Sequence, residues 1–398
     1  VGFFPGSAWH RLWGTAVLLC LALLHAPAAQ AEKPEAVMPG QAQSGEEHDA
    51  PLPEAVEDAL AHLLTLPGDA NAPLDRERIG PLLDFVMSGR MTAASPRERR
   101  DGTGVYHSFP VRLPLARVME YGYNPDLPSY AIMPRSVRFN GWVRGSMPKA
   151  LWERLNTNAT VTARGVEYEE TTPDQFSGTY YGYELDRLLV LLQHKGRDML
   201  LSVSTMPKTS SVGMKGAVVG RDENFLFFYS GRPGTTMRGL GWADPYIYEA
   251  ASVFLLMEPS PGAGTTRVHL FKWLRGGWAG MNMVRAKHVR AGVERFAQGL
   301  RTILESPLLP PARELAAYLE ELRSLPEYRL RTRLMPLAHA LEEAAEEGHP
   351  VLSRDEFQGV LQNGAYVHIL TPEQMESELL KARVRQAVLR PVLENAGN

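Results

Sequence analysis

Two histidines and an arginine sit where a strand could aim them at a ligand. His107 alternates with Val105, Phe109, Val111 and Leu113, while His269 alternates with Arg267, Phe271 and Trp273. In a strand of period two, each set shares one face. An imidazole on an apolar face is either a buried group satisfied by a backbone carbonyl or a polar anchor orienting a ligand. The same imidazole could act as a general base if a carboxylate such as Glu184 or Glu249 lay within hydrogen-bond reach. Arg267 could hold an anionic head group or make an ion pair in solvent.

Aromatic residues cluster on two further strand candidates. Tyr180, Tyr181 and Tyr183 mark one, and Phe225, Phe227, Phe228 and Tyr229 the other. Such residues form cores, and they also line binding tunnels. Between Ser230 and Tyr246 lies a glycine-bearing loop with Arg232, Met237, Arg238 and Trp242. A loop of that length reads as a lid, or as a contact for an anionic lipid surface; a connection without function is the alternative. The chain has no G-x-S-x-G elbow, no H-E-x-x-H and no P-loop. Its histidines are scattered, with no i, i+4 pair to share a metal. The expectation is therefore no metal and no cofactor.

The elements needed to position these residues follow from the periods. Val56, Leu60, Leu63 and Leu64, then Ile79, Leu82, Leu83 and Val86, predict two short amphipathic helices ended by Pro67-Gly68 and Gly89. From Val105 the period becomes alternating. Strands are predicted at 105–113, 136–143, 160–169, 176–185, 188–193, 199–206, 217–219, 224–229, 252–258 and 265–274, separated by Gly, Pro or Asp. That spacing predicts a single antiparallel sheet, unlike the spacing of βαβ units. Val289, Val293, Phe296, Leu300 and Ile303 then form one stripe of a long helix. Gly292 and Gly299 on that helix cost up to about 1 kcal/mol each against alanine, which close backbone approach or a vacant volume would explain. Beyond Pro307, stripes such as Leu315, Leu319, Leu322 and Leu334, Leu337, Leu341 predict about four helices.

Composition bounds the compartment and the partners. The 398 residues carry 42 Lys and Arg against 45 Asp and Glu, a net charge of −3 that excludes a globally basic nucleic-acid binder. Arg11 precedes an apolar run from Leu12 to Leu24, and Ala29-Gln30-Ala31 supplies a cleavage site. Together these predict a secretory signal peptide over 1–31, cut between Ala31 and Glu32. Cys20 is the only cysteine, so the mature chain would hold no disulfide and no thiolate. Export without disulfides fits a bacterial periplasm. Residues 32–52, rich in Pro, Gly, Gln and Glu, read as a flexible linker.

The order of these elements resembles that of StAR-related lipid-transfer (START-like) domains. The stretch Phe271-Lys272-Trp273, then Gly276-Gly277-Trp278-Ala279-Gly280 and the helix to Leu304, is similar to that family's last strand, turn and closing helix. The resemblance covers residues 104–305. It implies a helix-grip fold: an antiparallel sheet curved around a long C-terminal helix, with a hydrophobic tunnel for lipids, sterols or other apolar molecules. Some members are cyclases or hydrolases. The expected architecture is α+β, with N-terminal helices over 53–103, a helix-grip-like domain over 104–305 and a helical region over 306–398. The ligand-binding candidates are His107, Tyr181, Tyr183, Phe227, Arg267, His269, Phe271 and Phe296. The expected function is that of an exported soluble protein binding a lipid-like ligand, with transient membrane-surface contact through the Arg232–Trp242 loop. The rivals are a scaffold binding a protein partner through the C-terminal helices, and an enzyme using a cavity histidine.

Overall fold

The computed structural model describes residues 50–175, 177–237 and 241–395. The expected signal peptide, the linker up to residue 49, Phe176 and Arg238 lie outside the described residues.

Thirteen strands are described: β1 (Ala93–Ala94), β2 (Thr103–Val111), β3 (Val137–Arg144), β4 (Val161–Thr171), β5 (Thr179–Tyr180), β6 (Gly182–His194), β7 (Arg197–Thr205), β8 (Met214–Val218), β9 (Phe227–Pro233), β10 (Thr235–Met237), β11 (Gly241–Ala243), β12 (Tyr246–Met257) and β13 (Thr266–Gly277). Eight of them form a large antiparallel sheet in the order β1-β2-β13-β12-β7-β6-β4-β3. The rest correct the expectation of one sheet. β5, β8 and β9 form a separate three-stranded sheet, and β10 with β11 a hairpin. The segments expected as strands at 176–185 and 188–193 resolve into the bridge β5 and the single long strand β6. Asp186 and Arg187, polar residues that look like a break, pair in register with Thr205 and Ser204 and do not interrupt it.

The sheet has two differently covered faces. Helices α1 (Glu54–Leu63) and α2 (Arg76–Ser88) cover one. Asp75 caps α2 by accepting from the Glu77 and Arg78 amides, and Gly89 ends it at φ 59°, where a side chain would be strained. Val56, Leu60, Leu63, Ile79, Leu82 and Val86 pack there on Leu188, Val190, Leu201, Val203, Val253, Leu255, Phe271 and Trp273. The opposite face meets α3 (Leu115–Gly122) and α4 (Ala286–Leu304). Val289 and Val293 of α4 pack on Val105 and Leu270, and Ala297, Leu300 and Ile303 continue the stripe into a larger core.

Four helices follow: α5 (Ala312–Arg323), α6 (Glu327–Glu346), α7 (Asp355–Leu361) and α8 (Pro372–Asn395). Their stripes are buried within the chain itself: Leu315, Leu319, Leu322, Leu334 and Leu341 share one core with Phe227, Phe228 and Tyr229. Phe228 stacks edge-on against Phe357 at 5.5 Å. α8 is tied to β3 by polar groups. Ser377 Oγ and Lys381 Nζ both donate to the Arg138 carbonyl, at 2.6 and 3.1 Å. The Arg138 guanidinium pairs with Glu170 at 2.9 Å and lies 4.0 Å over the Tyr229 ring. Among the described residues, no helix is long and apolar enough to cross a membrane.

Candidate functional site

Alternation along the central strands decides which residues face the interior. On β13, Val268, Leu270, Lys272 and Leu274 point away from α1 and α2. On β12 the same face carries Ser252, Phe254 and Leu256, on β7 Ser202 and Ser204, and on β6 Tyr183, Leu185, Arg187 and Leu189. These residues form the floor of a cavity of about 1030 Å³. Its other walls come from α4 (Val289, Gly292, Val293, Phe296, Leu300) and from Val118, Tyr123, Ile132, Met133, Phe139 and Trp142.

The lining is predominantly apolar, with a polar strip on the floor. Glu167 accepts from Arg187 Nε at 2.9 Å, from Arg187 Nη2 and from Asn140 Nδ2 at 2.6 Å. Arg187 Nη1 donates to Ser202 Oγ at 3.2 Å. The Tyr183 hydroxyl donates to Glu169 at 2.8 Å. Ser204 Oγ and Ser252 Oγ lie 2.7 Å apart. Burial raises the Glu169 carboxyl above the ordinary carboxylate range, and the neighbouring Glu167 adds to the effect. Burial lowers the Lys272 ammonium, against an opposing contribution from Glu169. Tyr183 is pushed well up by burial and by Glu169.

The space over Gly292 is open: a Cβ built there meets nothing within 4 Å. Gly299 has a different reason. Its Cβ would come within 3.0 Å of Arg135 Cδ, so glycine admits that side chain. Gly292 and Met283 are both exposed and line the cavity, and so mark the side on which it opens.

Of the sequence candidates, Tyr181, Tyr183 and Phe296 line the cavity. His269 and Phe271 correct the expectation: they point to the α1–α2 side, where Phe271 stacks on Tyr106 at 4.5 Å. Alternation puts Arg267 on that side too. His107 is on the α4 side but lines a separate groove of about 510 Å³ with Glu294, Gln298, Arg301 and Glu305. Phe227 is buried in the three-stranded sheet beneath the Arg295 guanidinium, 5.7 Å from it. Arg232 lies 4.8 Å over the Trp242 ring and 3.7 Å from Glu356. Trp242 donates to the Pro233 carbonyl at 3.0 Å. Only the backbone of Met237 is described. The imidazole–carboxylate pairs are not formed. Glu249 pairs with Arg99 and Glu184 with Lys208, while His269 Nδ1 faces the Tyr106 hydroxyl.

Sequence reasoning missed Lys272, Arg187, Glu167, Glu169 and the serines. One signal was present: Lys272 stands at an alternate position with Val268, Leu270 and Leu274, a lysine in an otherwise apolar row.

No protein-family model matches the chain, and no curated protein does. Among solved structures it is similar to the human StarD13 (DLC2) lipid transfer and protein localization domain, at 12% identity over 57% of this chain and 98% of that one, with a TM-score of 0.26. A putative uncharacterized protein from Rhizobium leguminosarum matches at 12% identity over 54% of this chain and 99% of that one, with a TM-score of 0.23. The mixed α/β class, the large antiparallel sheet and the C-terminal helices rest on the chain's own elements.

Proposed function

We propose that the protein binds an apolar or amphipathic, lipid-like ligand between the sheet and α4, as a helix-grip carrier does. One observation carries this reading: a cavity of about 1030 Å³, open on one side, with aliphatic and aromatic walls and a short polar strip. Small-molecule sites typically run to about 300–1,000 Å³ and share that mix of lining. A scaffold would need no such space, and the apolar stripes of α5 and α6 are already covered by the chain's own core. An enzyme working through His107 or His269 is disfavoured because neither imidazole is among the cavity-lining residues. The proposal extends to export through residues 1–31 and to transient contact with a membrane at the open side. Support for the contact comes from Met281 and Met283, which expose 46% and 49% of their surface.

The test is native mass spectrometry with solvent extraction on the full chain expressed with its N-terminal segment and recovered from a bacterial periplasm. The control is the double variant Ser204→Leu, Ser252→Leu, which fills the cavity floor. The two hydroxyls hydrogen-bond to each other, so replacing both leaves no unpaired partner and the fold should survive. A reproducible bound lipid, absent from the folded double variant, is the expected result. A ligand-free mass that persists after incubation with envelope-lipid extract would sink the reading, and failure to reach the periplasm would remove the export part alone.

A further inference from the structure

Lys272 occupies an unusual position in the sheet. It sits in one cross-strand row that reads Val105, Lys272, Ser252, Ser204, Arg187 and Gly165 from β2 to β4. The row is polar at its centre while the flanking rows carry Phe254, Leu270, Leu274 and Ala250. Lys272 is half-buried and belongs to the cavity lining, so it presents its side chain to that space.

Of the other charges on the floor, Arg187 and Glu167 are paired through two guanidinium hydrogen bonds. Glu169 holds the Tyr183 hydroxyl, has no ion-pair partner among the described residues and favours the Lys272 ammonium from a distance. Among the described residues, Lys272 has neither an ion-pair partner nor a hydrogen-bond acceptor. An ammonium carries three donors and no acceptor, and burying one without a hydrogen-bond acceptor is expensive. Its two small row neighbours, Ser252 and Ser204, are spent on each other and leave room above the sheet.

We propose that the cavity selects amphipaths bearing a carboxylate, with Lys272 as the group that holds it. The inference rests on the ligand-binding reading above and specifies the head group. A ligand carboxylate would give Lys272 the directly hydrogen-bonded acceptor that Glu169, which forms no ion pair with it, does not supply. A dianionic phosphate would add a second charge close to Glu167 and Glu169, which both line the same floor. Burial depresses the basicity of Lys272 against the opposing pull of Glu169; a bound carboxylate would add to that pull and favour the ammonium.

The test compares palmitate, methyl palmitate and hexadecyl phosphate against the full chain by isothermal titration calorimetry. Palmitate should bind at least about tenfold tighter than its ester, the effect of one charge-assisted hydrogen bond. Lys272→Met should erase that preference, while Lys272→Arg should keep it. Equal affinity of the wild type for acid and ester would overturn the inference and leave the cavity reading standing. Tighter binding of the phosphate would overturn the choice of carboxylate, and binding of none of the three would remove both readings. The wild-type comparison decides the matter even if Lys272→Met does not fold.

Discussion

The His269 Nδ1 nitrogen lies 2.9 Å from the Tyr106 hydroxyl, between the sheet and the helices α1 and α2. The hydroxyl donates to the Met91 carbonyl at 3.2 Å, so it accepts from Nδ1–H, and the buried Nε2 lone pair has no partner. Burial, helped by Arg267, pushes the imidazole down to about 3.

A neutral native imidazole against an ordinary unfolded one sets a sign. Between the unfolded value of about 6.5 and about 3 the unfolded chain binds the extra proton, so stability falls as the pH falls through that window. His269→Leu removes this contribution. Chemical denaturation at neutral pH and at pH 5 should show a smaller loss for the variant than for the wild type. An equal loss in both would mean that His269 does not carry the acid sensitivity.

Asp222 is expected to hold α4 in place. Its carboxylate accepts from Arg135 Nε and Nη2 at 3.0 and 2.5 Å, and from Arg295 Nε and Nη2 at 2.9 and 2.6 Å. Burial alone would raise its pKa; the two guanidinium groups outweigh burial and hold it below the usual range. The stability it contributes is therefore present at neutral pH and lost as the pH falls below the ordinary aspartate value. Asp222→Asn leaves one buried and one half-buried cation without a counter-charge and should cost about 3–5 kcal/mol in urea unfolding. A loss below 1 kcal/mol would contradict the assignment.

Gly292 offers a separation of stability from binding. Because its Cβ position is open, Gly292→Ala should stabilise the chain by about 0.5–1 kcal/mol through helix propensity. Gly292→Leu should keep part of that gain while narrowing the open side of the cavity, so lipid uptake measured by native mass spectrometry should fall. Unchanged uptake with the leucine would place the route elsewhere.

The α+β class and the long amphipathic helix were legible because each rests on local periodicity. Val289, Val293, Leu300 and Ile303 read as one stripe and are buried as one. The split of the strands among three sheets was not legible, since Ala217 and Phe228 alternate like any core strand and nothing local says which neighbours they pair with. Lys272 was passed over for its neighbours His269 and Phe271. On a covered sheet both faces are apolar, and alternation alone does not say which face has the cavity.

By itself, the sequence determined the elements and which residues share a face, because backbone geometry imposes periods of 3.6 and two on any chain. Tertiary structure decided what each face meets. The placing of α1 and α2 on one side turned His269, Phe271 and Trp273 into core. The placing of α4 on the other left Lys272, Ser252 and Ser204 lining an open volume. A one-residue step along a strand reverses a side chain's direction, so His269 and Lys272, three positions apart, ended on opposite sides of the same sheet.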